Sequence, residues 1–237
     1  MNPTAGMEPR IALSALRFTA SGLKRPECVL ATAAGVLYTS DWRGGVARTP
    51  ANGSPQLFSA SLPGGRPLRP NGIALRADGS FLLADLGDTQ GGIFQLRRDG
   101  TVTAFLEAID GVPLPPSNYV VEDGKRTWLS VSTRQQPRAL AYRSDIADGF
   151  VAVVDARGAR IVADGLCYTN EALPSPDGRW LYVNETFARR LTRFRIGAGA
   201  VLSGRETVAT FGHGSFPDGL SFDAEGGIWI TSIVSNR

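Results

Sequence analysis

Short apolar runs, each introduced by a glycine, recur along this chain at nearly even spacing. The glycines stand at positions 35, 79, 124, 178 and 226, at intervals of 44, 45, 54 and 48 residues. Periods of this size belong to propellers and solenoids. The runs that follow are Val36-Leu37-Tyr38-Thr39-Ser40, Ser80-Phe81-Leu82-Leu83-Ala84, Thr127-Trp128-Leu129-Ser130-Val131, Trp180-Leu181-Tyr182-Val183-Asn184 and Ile228-Trp229-Ile230-Thr231-Ser232. Their β-branched, aromatic and aliphatic content, without polar alternation, predicts central strands packed on both faces. Asp78-Gly79, Asp123-Gly124 and Asp177-Gly178 predict tight turns with positive φ, as do Asn52-Gly53 and Asp99-Gly100. Further strands are expected at Gly92–Leu96, Thr101–Phe105 and Arg190–Phe194, and no stretch has the spacing of a long amphipathic helix. The pattern predicts an all-β chain of meandering blades.

A polar residue keeps step with this repeat. Glu27, Asn71, Asn118, Asn170 and Asp218 precede the five glycines by eight residues, except for a gap of six at Asn118. Ring-like stacking of the repeats brings such residues to one place, because the innermost strand of each propeller blade lines a central channel. Glu27, Asn118, Asn170 and Asp218 then offer two carboxylates and two amide carbonyls, the oxygen-only set of a hard divalent cation. Calcium is expected first, with magnesium and zinc as alternatives, although no His or Cys is in phase. Asn71-Gly72 and Asp218-Gly219 also read as ordinary turn dipeptides, and at Asn71 that reading is slightly the stronger. A buried Glu27 needs a cation or a basic partner.

Composition narrows the picture further. The 237 residues are 43% hydrophobic, enough for a sizeable core, and no linker or low-complexity tract divides them. One domain over 1–237 is expected, with 1–9 as a disordered tail. The 25 basic residues face 22 acidic ones without a basic block, which argues against nucleic acid as a partner. Cys28 and Cys167 form no disulfide framework, and no run is long enough to span a bilayer, so a cytoplasmic protein is expected. Cys28 should pack between blades, the four tryptophans should be core residues, and His213, the one histidine, should be a solvated loop residue.

Several segments together resemble a known family. They are Pro26-Glu27 leading to Gly35-Val36-Leu37-Tyr38-Thr39-Ser40-Asp41, Pro70-Asn71-Gly72-Ile73, and Pro116-Ser117-Asn118 before Gly124. With them go Asn170 before Ser175-Pro176-Asp177-Gly178-Arg179-Trp180-Leu181-Tyr182-Val183-Asn184-Glu185-Thr186, and Phe216-Pro217-Asp218-Gly219-Leu220 before Asp223-Ala224-Glu225-Gly226. In this order they are similar to the calcium-dependent lactonases, comprising gluconolactonase, regucalcin (senescence marker protein) and LRE-like proteins, related to diisopropylfluorophosphatase. The resemblance implies a six-bladed β-propeller whose axial calcium is held by Glu27, Asn170 and Asp218, with Asn118 as a further metal or substrate ligand. It implies hydrolysis of a small-molecule lactone, typically a sugar lactone, with Asp218 as the catalytic base and Asn71, Asn118 and Tyr119 as substrate-binding residues.

The chain departs from the family where Asn118-Tyr119 replaces Asn-Asp and Asn170-Glu171 replaces Asn-Gly; Glu171 either points away or adds a carboxylate near the ion. At a period near 48 residues the C-terminal blade is expected to be incomplete. Arg10–Phe18 reads as the strand that closes the ring, and an open edge predicts association or poor solubility. The alternatives are a non-catalytic binding scaffold, or a strictosidine-synthase-like or phosphotriesterase-like propeller enzyme.

Overall fold

The structure, a computed structural model, describes residues 13–59 and 61–234. The strands run β1 Val29–Ala31, β2 Leu37–Asp41, β3 Gly45–Thr49, β4 Gln56–Ser59, β5 Pro70–Leu75, β6 Phe81–Asp85, β7 Gly92–Leu96 and β8 Val102–Leu106. They continue as β9 Ala108–Ile109, β10 Val112–Pro113, β11 Ser117–Glu122, β12 Thr127–Val131, β13 Gly149–Asp155 and β14 Gly158–Leu166. The last are β15 Thr169–Pro174, β16 Trp180–Glu185, β17 Arg190–Ile196, β18 Leu202–Thr210, β19 Phe216–Phe222 and β20 Ile228–Ile233. Each blade is an antiparallel meander: β1–β4, β5–β8, β11–β14 and β15–β18 form four-stranded sheets, and β19–β20 a two-stranded one. The small β9–β10 hairpin bridges the second and third blades.

The repeat glycines do what their spacing predicts. Gly35, Gly79, Gly124, Gly178 and Gly226 all have φ between 68° and 86° in the turn from first to second strand of each blade. Gly53, expected to behave likewise, has no positive φ. The inner strands β5, β11, β15 and β19 lie side by side around the axis.

The core lies between blades, and this is why the second strands are apolar on both faces. In β6, Phe81 and Leu83 pack toward the first blade, whereas Leu82 and Ala84 pack toward the third. Trp128, Leu181 and Val183 fill the next interface, and Tyr182, Leu191 and Leu220 the last. Cys28 is buried in the first interface, as expected, with its thiol 3.8 Å from the Ile73 carbonyl oxygen. β20 departs from the rule and alternates in burial along its length, because no described blade covers its outer face. Trp229, expected in the core, is therefore 52% exposed.

Residues 1–9, expected as a tail, lie outside the described residues, as do Arg10–Ala12. From Leu13 the expected closing strand is absent: Leu13–Ala15 form a 3-10 turn, and Leu16–Phe18 carry no strand. Among the described residues no helix is long and apolar enough to cross a membrane.

Leu181 is fully buried between two blades. Leu181→Ala is expected to lower unfolding stability by about 2–5 kcal/mol through lost burial and a residual cavity. Trp229→Ala, on the uncovered face, should cost clearly less; urea unfolding of both variants measures the contrast.

Candidate axial site

Pairing within the blades breaks at the phased residues. The register of β5 with β6 shifts between Pro70 and Ile73, across Asn71; that of β11 with β12 shifts between Ser117 and Tyr119, across Asn118. The same shift spans Asn170 in β15 and Asp218 in β19. Such bulges bend a strand and re-aim its side chains, and here the side chains turn toward the axis. Asn71-Gly72 and Asp218-Gly219, which read as turn dipeptides, thus lie inside strands, and neither glycine has a positive φ. Their small size serves close approach instead: a Cβ on Gly72 would stand 2.6 Å from the Tyr119 Cα of the next blade.

Hydroxyl residues at or near the ends of four second strands hold the phased segments. Ser40 Oγ accepts from the Glu27 and Cys28 amides at 3.1 and 3.0 Å. Ser132 Oγ accepts from Asn118 Nδ2 at 2.7 Å, Thr186 Oγ1 from Asn170 Nδ2 at 3.1 Å, and Thr231 Oγ1 from the Gly219 amide at 2.8 Å. Three fully buried carboxylates grip the approach to the inner strand. Asp41 accepts from the Lys24 amide, Asp85 from the Arg69 amide and Glu185 from the Cys167 amide, at 2.8–2.9 Å. Each also pairs with an arginine, Arg43, Arg66 and Arg190 respectively.

The aimed side chains form a hydrogen-bonded arc. Arg25 Nη1 donates to Asn71 Oδ1 at 3.3 Å, Asn71 Nδ2 to Asn118 Oδ1 at 2.6 Å, Asn118 Nδ2 to Asn170 Oδ1 at 3.3 Å, and Asn170 Nδ2 to Asp218 Oδ1 at 2.5 Å. Glu27 closes the circuit through its ion pair with Arg25 at 3.3 Å. Glu27 is more open than expected, and Arg25 is the basic partner it requires. Arg25 escaped sequence reading because the place two residues before the phased residue changes type along the chain: Arg69 repeats it before Asn71, but Pro116, Tyr168 and Phe216 stand there in the later repeats. Its guanidinium also lies 4.1 Å from the Trp42 ring centre.

Negative charge outweighs positive here. Burial, and then the neighbouring Glu27 carboxylate, push the Asp218 carboxyl up to about 6, against the opposing hydrogen bond from Asn170. Glu171 goes up to about 8, mainly by burial and further through Asp218 and Glu27, although its Oε2 accepts from the Leu220 amide at 2.6 Å. Glu171 thus faces the site from below and adds a third carboxyl group, held largely protonated near neutral pH.

Two connected spaces surround the arc. A cavity of about 420 Å³ above it is lined by Glu27, Asn71, Asn118, Asn170 and Asp218 together with Arg25. A chamber of about 30 Å³ below it reaches Glu171 and Tyr119. All five phased residues therefore meet. Tyr119 does not join them at the upper cavity: its ring is buried among Cys28, Ile73 and Leu83 between blades, and burial raises its hydroxyl pKa well above the usual range. The upper wall also holds Tyr142, Tyr168, Phe187 and Phe216; Tyr168 and Phe216 stand two residues before Asn170 and Asp218, a spacing that could have marked them, whereas Tyr142 and Phe187 lie in connections outside it. His213 is exposed and lies against Arg189, away from this cavity. Ser117 is committed to the Gly92 amide.

Among the described residues no three His, Cys, Asp or Glu side chains group closely enough to hold a metal alone. The donor set depends on amide oxygens as well. Two carboxylates, two amide carbonyls and a surplus of buried negative charge fit the oxygen chemistry of a hard divalent cation.

Residues 26–237 match the family described as SMP-30/Gluconolactonase/LRE-like region. Strictosidine synthase-like 6 of Arabidopsis thaliana is 28% identical over 176 residues, which cover 70% of this chain and 44% of that protein. The chain thus spans less than half the length of this relative. A gluconolactonase from Xanthomonas campestris has a similar structure, with a TM-score of 0.68 and 24% identity over 84% of this chain and 67% of its own. Regucalcin from Agrobacterium tumefaciens, described as a calcium-binding protein, gives 0.68 and 21% over 90% of this chain and 68% of its own. The chain has the lactonase-type propeller fold. Set against a six-bladed ring, the described residues hold four complete blades and the first hairpin of a fifth.

Glu185 shows how strongly the clamps depend on charge. Burial opposes its ionisation, but Arg190, the Cys167 amide and Thr192 outweigh this and hold its pKa below the ordinary value. Its stabilisation is therefore complete above the unfolded-state value of about 4.3 and is lost as pH falls through the lowered folded value. Glu185→Gln is expected to cost about 2 kcal/mol at pH 7. The gap from the native chain should close as pH falls below that window, in urea midpoints measured from pH 7 to 3.

Proposed function

The chain belongs to the SMP-30/gluconolactonase/LRE-like family, and we propose that it hydrolyses a lactone at the axial site with a divalent cation, calcium first. The observation that carries this reading is the meeting of Glu27, Asn118, Asn170 and Asp218 at the floor of one cavity of substrate size. Those four residues would hold the ion. When bound, the cation polarises the ester carbonyl and steadies negative charge on its oxygen.

The remaining chemistry belongs to the side chains. Without the ion, burial and Glu27 raise the Asp218 carboxyl to about 6; a cation bound beside it offsets that rise, so Asp218 would serve as base through its position at the floor of the cavity. Asn170 donates to its Oδ1 and holds the carboxylate in place, and the carboxylate would receive the proton of the attacking water. The water oxygen bonds to the carbonyl carbon, the ring C–O bond breaks, and the proton passes to the leaving alkoxide to give the hydroxy acid. Asn71 and Asn118 present amide groups to the substrate oxygens, and Arg25 keeps Glu27 and Asn71 in place.

Calcium at a hundredfold excess over its dissociation constant should add about 2.7 kcal/mol, or roughly 5–10 °C in Tm for a chain of this length. Glu27→Gln and Asp218→Asn should each remove that rise. A pH-stat assay over a lactone panel should show turnover that a chelator and Asp218→Ala abolish. Ion binding without turnover of any lactone or phosphotriester would identify a non-catalytic scaffold instead. A Tm unmoved by calcium, magnesium and zinc, with chelator-resistant turnover, would remove the metal from the reading.

A further inference from the structure

We propose that the cavity above the arc selects lactones bearing an apolar substituent, alkyl or aryl, over polyhydroxylated sugar lactones. The assignment rests on the hydrolytic reading of the same site and narrows its substrate class. Polar groups are concentrated on the cavity floor, where Asn71, Asn118, Asn170 and Asp218 already bond to one another. The wall above them is aromatic. Tyr142 stacks on Phe187 at 5.1 Å, Tyr168 meets the edge of Phe187 at 4.9 Å, and Phe216 stands 5.7 Å from Phe187.

These rings come from separate connections, so the wall is a feature of the assembled mouth rather than of one loop. Tyr142 follows the 3-10 turn Arg138–Ala141 of the third blade, Tyr168 precedes β15, Phe187 joins β16 to β17, and Phe216 opens β19. Leu86, Ile233 and Val234 extend the apolar surface. Of the charged side chains lining the cavity, Arg25 is engaged by Glu27, Asn71 and Trp42, which leaves Arg138 as the one further cation.

Energetics then favours one substrate class. Hydroxyl groups pressed against the ring faces would lose water without gaining partners there, which is costly, and the Tyr142 and Tyr168 phenols are engaged with each other. A hydrocarbon substituent covers apolar surface that is otherwise wet, including Tyr142, which is 51% exposed at the mouth. The ester would sit on the polar floor with its substituent against Phe187.

The test uses the calcium-loaded full chain and γ-lactones with unbranched alkyl substituents of increasing length, beside glucono-lactone. We expect kcat/KM to rise about fourfold per methylene over the first few carbons, with glucono-lactone the poorer substrate. Phe187→Ala should flatten that slope and Phe187→Leu should keep most of it, with thermal melts confirming that both variants fold. A flat series, or glucono-lactone turned over fastest, would overturn the substrate class while leaving lactone hydrolysis intact. A second arm needs no chemistry: calorimetric titration with the corresponding alkyl γ-lactams. Affinity that grows with chain length and is lost in Phe187→Ala supports the apolar wall even if no lactone is hydrolysed, an outcome that would sink only the hydrolytic reading. Lactam affinity independent of chain length would overturn the wall.

Discussion

The inner strands of this propeller cannot remain regular and still serve the axis. A regular antiparallel strand sends successive side chains to opposite faces of its sheet, and in a blade both faces are buried against neighbouring blades. A side chain that reaches the channel needs a local break in that alternation, and the register shifts at Asn71, Asn118, Asn170 and Asp218 provide it. Hydroxyls at or near the ends of the second strands hold the result in place: Ser132 and Thr186 accept from the side-chain amides of Asn118 and Asn170, Thr231 from the Gly219 amide, and Ser40 from the Glu27 amide in the first blade. The buried carboxylates Asp41, Asp85 and Glu185 perform the related task of fixing the chain as it approaches the axis. Geometry at the site is thereby tied to packing between blades.

That arrangement concentrates acid where solvent is scarce. Asp218 and Glu171 are both pushed upward, first by burial and then by other carboxylates. Arg25 offsets part of the charge through Glu27, and the amide side chains spread the rest by hydrogen bonding. The arc is a preorganised acceptor for positive charge, with a polar floor and an aromatic wall facing the same space. Glu171 fills the underside of the arc with a third carboxyl group.

Blade position controls how much of each repeat is covered. The second strands β6 and β12 of the middle blades are buried throughout because both neighbours are present, whereas β20 alternates in burial and leaves Trp229 outward. Val29 in β1, at the other end of the described array, is likewise exposed. The same sequence signal, an apolar run after a glycine, thus has different consequences in the middle and at the margin.

The repeat was legible from sequence because turn and strand preferences are local. A glycine with positive φ is required at every first hairpin, and runs such as Phe81–Asp85 suit only a strand packed on both sides. The phase of Glu27, Asn118, Asn170 and Asp218 was equally legible, since a ring converts constant spacing into common position. Asn71-Gly72 and Asp218-Gly219 misled as turns because a local dipeptide preference gave way to pairing with the adjoining strand and close packing on the next blade. Tyr142 and Phe187 had no periodic signal, and Arg25, Tyr168 and Phe216 share a place two residues before a phased residue but not a residue type. Sequence by itself determined the blade repeat and which oxygens travel with it, because both follow from near-neighbour preferences. Only the tertiary structure decided which side chains meet at the cavity, because bulges, loop paths and burial arise when distant blades are packed together.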